Sequence, residues 1–157
     1  MTTDNAPSKD RAITFLLRMT SVLWVIWGLV HVLAGVMTIS QDTPEAVAGI
    51  ADAVDKTELA GEYHAAVGAV INQHGFNLLW IGAVTTACAF FVWRRSTPAI
   101  FLAALVAGLA DIGYFLFMDL GGHVNFVPGT VMTLICATAV AMSISAYFLQ
   151  KSKSGST

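Results

Sequence analysis

The stretch ITFLLRMTSVLWVIWGLVHVLAGVMTI, residues 13–39, carries one charged side chain, Arg18, and one histidine, His31, in 27 positions. A helix needs about 20 mainly apolar residues to cross a bilayer, so this run predicts a membrane span. It also exceeds the roughly 7–15 residues of a cleavable signal core, which makes it a retained signal-anchor helix after the polar start MTTDNAPSKDR. Three further runs have the same character, at 70–93, 97–118 and 127–149. The composition agrees. Of 157 residues 56% are hydrophobic and 11% charged, against about 25% charged in a soluble domain, and the mean hydropathy is +0.70.

Short links set the topology. RRSTP (94–98) joins the second and third runs, and DLGGHVNFVP (119–128) joins the third and fourth. Links of this length force neighbouring helices to run oppositely. The predicted fold is therefore an all-α integral membrane protein, an antiparallel four-transmembrane-helix bundle over 13–149. Polar tails flank it at 1–12, expected to be disordered, and at 150–157. Lys9, Arg11, Arg18, Arg94, Arg95, Lys151 and Lys153 then share one side, which the positive-inside rule makes cytoplasmic, together with both termini. The expected location is the inner membrane of a bacterial cell. The other side receives Asp42, Glu45, Asp52, Asp55, Glu58 and Glu62 against Lys56 alone.

The outer loop, 40–69, contains a helix start in Thr43-Pro44-Glu45, with Thr43 as N-cap and Pro44 at the first helical position. Val47, Ile50 and Val54 recur at helical spacing, which predicts a short amphipathic helix over 44–55. A second helical stretch is expected from Glu58 through His64 into the second span, with Gly68 and Gly75 as places to bend. Pro128 stands where the fourth helix should begin.

On this topology His31, His74 and Asp111 lie about 5–12 Å below the outer boundary, at 1.5 Å per helical residue. Asn77 lies beside His74. Asp119, His123, His64 and Glu62 stand at or above the boundary. Trp24, Gly28, His31, Gly35 and Thr38 share one side of the first helix, and small residues on such a stripe let helices approach closely. Ala104, Gly108, Asp111 and Tyr114 form a similar stripe on the third helix. His74, Asn77, Thr85 and Cys88 share a side of the second. An ionisable group inside a membrane costs at least about 2.5–3.5 kcal/mol and usually faces the protein interior, so three helices each supplying one such group predict a shared pocket.

Three chemistries suit that pocket. His31, His74 and Asp111 have the ligand types of a two-His-one-carboxylate site for iron or zinc, or a related copper site. His31 and His74 are also candidate axial ligands of a haem b. In either case the protein would perform redox or oxidative chemistry, with Asn77, Tyr114, Asp119, His123, His64 and Glu62 in support. Without a metal, the same groups suit a transporter or channel subunit for a small polar or cationic solute. The structural alternative is a subunit of a larger membrane complex, in which His and Asn act as interhelical glue worth about 0.6 kcal/mol each. The chain contains no H-x-x-x-H, E-x-x-H or C-x-x-C pattern. Cys88 and Cys136 are expected to be packing residues. The partners expected are the bilayer and further subunits, in a homo-oligomer or a larger complex. Arg94-Arg95 is too short for nucleic acid, and no phosphate-cradling loop is present.

Overall fold

The computed structural model describes residues 6–154, which form helices joined by short irregular connections, with no strand among them. The parts of the two tails at 1–5 and 155–157 lie outside the described residues. Four helices are long and apolar enough to cross a membrane. They are α1 (Ala6–Ser40), α4 (Ala65–Trp93), α5 (Thr97–Tyr114, continued by a wider π turn Phe115–Asp119) and α6 (Val131–Ser154). Two short helices, α2 (Thr43–Ile50) and α3 (Lys56–Leu59), fill the connection between α1 and α4.

α1 begins at Ala6, not at 13, because the polar Ser-Lys-Asp-Arg start contains no breaker and continues the helix beyond its apolar core. Its 35 residues reach roughly 52 Å at 1.5 Å per residue. That exceeds the ~30 Å hydrocarbon thickness of a bilayer. The N-cap of α2 is Asp42, which accepts from Glu45 N–H at 3.0 Å. Thr43 and Pro44 are thus one position further into the helix than expected. α2 ends at Ile50 rather than 55. The next stretch does not run unbroken into the second span either, because His64 caps α4, its Nδ1 accepting from Ala66 N–H at 3.1 Å. Asp55 caps α3, and the N–H and hydroxyl of Thr57 hold its carboxyl below the usual carboxylate range.

Each long helix packs on two others: α1 on α4 and α6, and α5 on α4 and α6. α1 and α5 therefore face each other across the ring. The contacts are built from small residues, which let helix backbones approach closely. Gly28 meets Gly82 and Thr86, and Gly35 meets Gly75 and Leu79. Gly75, expected as a place to bend, is a point of close backbone approach within a continuous α4, and so is Gly82. The buried residues of α5 are Ala99, Ile100, Ala103, Ala107 and Asp111, so Asp111 is buried as the predicted stripe requires, while Ala103 and Ala107 are buried in place of Ala104 and Gly108. Cys88 and Cys136 are buried free thiols within this packing. Apolar side chains also point outward on all four long helices, among them Phe15, Leu33, Phe91, Leu109 and Phe148.

Polar ties fix the two ends. At one end, Arg95, in the left-handed region at φ 63°, contacts Asp10 Oδ1 at 3.2 Å and donates to Thr14 Oγ1 at 2.6 Å. At the other, loop-bearing end, Asp119 accepts from the hydroxyls of Thr130 (2.6 Å) and Thr133 (2.9 Å). The approach to α6 here is irregular. Val127 is extended (φ −117°, ψ 123°), and the regular helix begins at Val131, three residues after Pro128.

The segment after α2 is clasped to the 121–125 loop. Asp52 Oδ1 accepts from Asn125 N–H at 2.7 Å, Asn125 Nδ2 donates to Asp52 O at 2.8 Å, and Ala53 N–H donates to His123 O at 3.1 Å. Asp52→Ala removes the carboxylate from this clasp. It is expected to speed hydrogen exchange of the amides in 46–54 several-fold, by opening a contact worth about 1 kcal/mol. Unchanged exchange there would show that the clasp holds nothing down.

Candidate functional site

The i, i+4 pair Trp27 and His31 starts the site, since residues four apart lie on one helix face. Trp27 is fully buried. The His31 ring stacks on its indole, with centroids 3.6 Å apart and planes at 21°. His31 Nδ1 lies 2.8 Å from Trp27 O. A carbonyl only accepts, so Nδ1 carries a proton, and Nε2 is an acceptor whenever the ring is neutral. The indole N–H of Trp27 in turn crosses the ring of helices and donates to Asp111 Oδ1 at 3.2 Å. One buried tryptophan thus fixes both His31 and Asp111, on opposite helices.

His31 and Asp111 border a cavity of about 430 Å³ at the loop-bearing end. α1, α4, α5 and α6 all contribute to its wall. Gln41, Ala46, Gly49, Ile50 and Asp52, from α2 and its flanks, close it on one side. The wall is mainly apolar, through side chains such as Leu33, Met37, Leu78 and Met132. Its ionisable groups are His31, His74, Asp111, Tyr114 and Asp52. Asp111, only 6% exposed, also borders a second, apolar groove of about 620 Å³ between α5 and α6.

His31, His74, Asp111 and Tyr114, singled out from the sequence, thus line one cavity, but not at one level. Gly82 lies against His31, whereas Gly75 lies against Thr38 and Ile39. His74 is therefore level with 38–39, about 11 Å further along α1 at 1.5 Å per residue, on the exposed rim. The other candidates do not line the cavity. Asn77 accepts from Trp80 Nε1 at 3.1 Å. Asp119 is tied to the two threonines, His64 is a helix cap, His123 lies over Gly121, and Glu62 is exposed. Two contributors went unnoticed. Trp27 had a legible signal, its position four residues before His31. Asp52 had none, because its position depends on the clasp to Asn125.

The expected cofactors fit this geometry poorly. Among the described residues no three His, Cys, Asp or Glu side chains are grouped to hold a metal ion. His31 and His74 stand at different levels of α1 and α4, and Asp111 already accepts from Trp27. A haem between His31 and His74 would need α1 and α4 apart. They are instead in backbone contact at Gly28–Gly82 and Gly35–Gly75, on both sides of His31. What the site offers is an imidazole acceptor, a carboxylate and a phenol in apolar walls, where each hydrogen bond is stronger than in water. Comparisons with known proteins found no matching family model, no similar curated protein and no similar solved structure.

Proposed function

We propose that the chain is an integral membrane protein whose cavity binds a small, largely apolar molecule by its polar head. In this reading the four long helices are antiparallel spans of the bacterial inner membrane, with both termini cytoplasmic. The outward apolar side chains of all four helices support insertion. The contact of Arg95 with Asp10 supports a common basic end. The observation that carries the functional reading is the convergence of His31, His74 and Asp111, from three helices, on one mainly apolar cavity. Its size falls in the range of about 300–1,000 Å³ typical of small-molecule sites, and so does its pattern of few polar groups in apolar walls. A buried carboxylate at membrane depth points the same way, because such groups mark function more often than packing.

The test is Ala34→Phe, which places a ring in the cavity wall. Wild-type protein extracted gently from its membrane is expected to carry a bound small molecule in native mass spectrometry. The variant should lose it at unchanged helicity and thermal midpoint. The same bound species in both proteins would overturn the reading. An absorbance spectrum and elemental analysis of that sample decide the cofactor alternative. A Soret band or stoichiometric metal that disappears in His31→Ala would replace the proposed occupant by a haem or a metal.

A further inference from the structure

We infer that the molecule this cavity takes is an amphiphilic cation, an ammonium-type head on an apolar body. The inference rests on the cavity reading above and adds the sign of the ligand's charge. Two carboxylates, Asp111 and Asp52, line the cavity, and no Lys or Arg does. Asp111 is buried against the hydrocarbon of α5 and α6. Its side-chain hydrogen-bond partner is the Trp27 N–H, which is neutral. No basic side chain among the described residues is within ion-pair distance of it. A buried carboxylate is costly unless a positive charge or several donors compensate it. The protein supplies a neutral donor and leaves the compensating charge to the occupant.

Two further features agree. The apolar walls that make the carboxylate costly also make a desolvated cation–carboxylate contact strong and favour a ligand with an apolar body. The connection between α1 and α4, part of which closes the cavity, carries Asp42, Glu45, Asp52, Asp55, Glu58 and Glu62 against Lys56. That excess raises the local concentration of cations at the approach to the site. Anionic amphiphiles meet the opposite field and two like charges.

The experiment uses three aryl probes of similar shape and different charge: tetraphenylphosphonium, triphenylmethanol and tetraphenylborate. Binding to the full chain in phosphatidylcholine nanodiscs is measured by equilibrium dialysis, with empty nanodiscs subtracted. Tetraphenylphosphonium is expected to bind saturably, triphenylmethanol more weakly and tetraphenylborate not at all. Asp111→Asn should weaken the cation at least about tenfold and leave triphenylmethanol unchanged. Asp52→Asn should have a smaller effect. Should Asp111→Asn fail to fold, Asp111→Glu decides, by retaining the preference for the cation. Equal binding of the neutral probe and the cation, with no response to Asp111→Asn, would overturn the cation assignment and leave the cavity reading standing. Absence of saturable binding by all three would also overturn it, while the Ala34→Phe comparison decides the cavity separately.

Discussion

Gly82→Val is expected to destabilise the protein by about 3 kcal/mol or more, the upper end of what overpacking costs. A Cβ on Gly82 would lie 2.8 Å from Val32 N and 3.1 Å from His31 Cβ, and would collide with the carbonyl oxygen of Gly28. Two of these three neighbours are backbone atoms of α1, so no rotamer change relieves the contact. The helices must separate, and with them the contact that sets the height of His31. The smaller change is the sharper test. Gly82→Ala gains helix propensity by about 1 kcal/mol, so packing and propensity predict opposite signs. We expect packing to win and the thermal midpoint to fall. Gly113→Ala is the control, since nothing lies within 4 Å of a Cβ there, and it should be neutral or stabilising. A Gly82→Ala protein as stable as Gly113→Ala would mean that α1 and α4 do not meet as closely as Gly28 and Gly82 require.

That contact also shows where the sequence was legible and where it was not. Composition and run length suffice for four apolar helices, because about 20 apolar residues in succession have few other uses. The Gly28–His31–Gly35 stripe follows from helical spacing, and it does face a partner. The partner's register does not follow. Antiparallel topology says that His74 is near the same end as His31, but only the Gly28–Gly82 and Gly35–Gly75 contacts show the offset between them. That offset is what separates a shared cavity wall from a ligand pair. Helix ends in the polar connections were read less well. Asp42 took the cap one position before Thr43, and His64 interrupted a helix expected to be continuous. Both are competitions among adjacent polar residues for the same orphan N–H groups, which local propensity separates by only about 1 kcal/mol. The clasp of Asp52 to Asn125 joins positions 73 apart, and no local pattern announces it.

Trp27 is the residue whose loss should cost most at the site itself. Trp27→Ala removes a fully buried indole from between α1 and α5. It leaves a void, removes the surface on which His31 stacks, and takes from Asp111 its indole donor. Large-to-small changes of this kind cost about 3–5 kcal/mol, so the variant is expected to unfold roughly 6–20 °C lower or to fail to accumulate. Trp27→Phe narrows the contributions, because it keeps a ring in the core while removing the N–H and part of the indole volume. A hydrogen bond to a charged group is worth about 1.5–3 kcal/mol, and the cost of Trp27→Phe should lie in that range if the bond to Asp111 is what the indole supplies. The cycle with Asp111→Leu isolates it. With no carboxylate to satisfy, Trp27→Phe should become cheaper by at least about 1 kcal/mol, since residues in direct contact couple by 0.5–3 kcal/mol. Additive effects would mean that Trp27 acts by volume alone and that His31 and Asp111 are not joined through it. A positive coupling would place the indole and the carboxylate in one unit spanning the ring of helices, with His31 stacked on its indole end. Any ligand that touches either end would then be felt at the other.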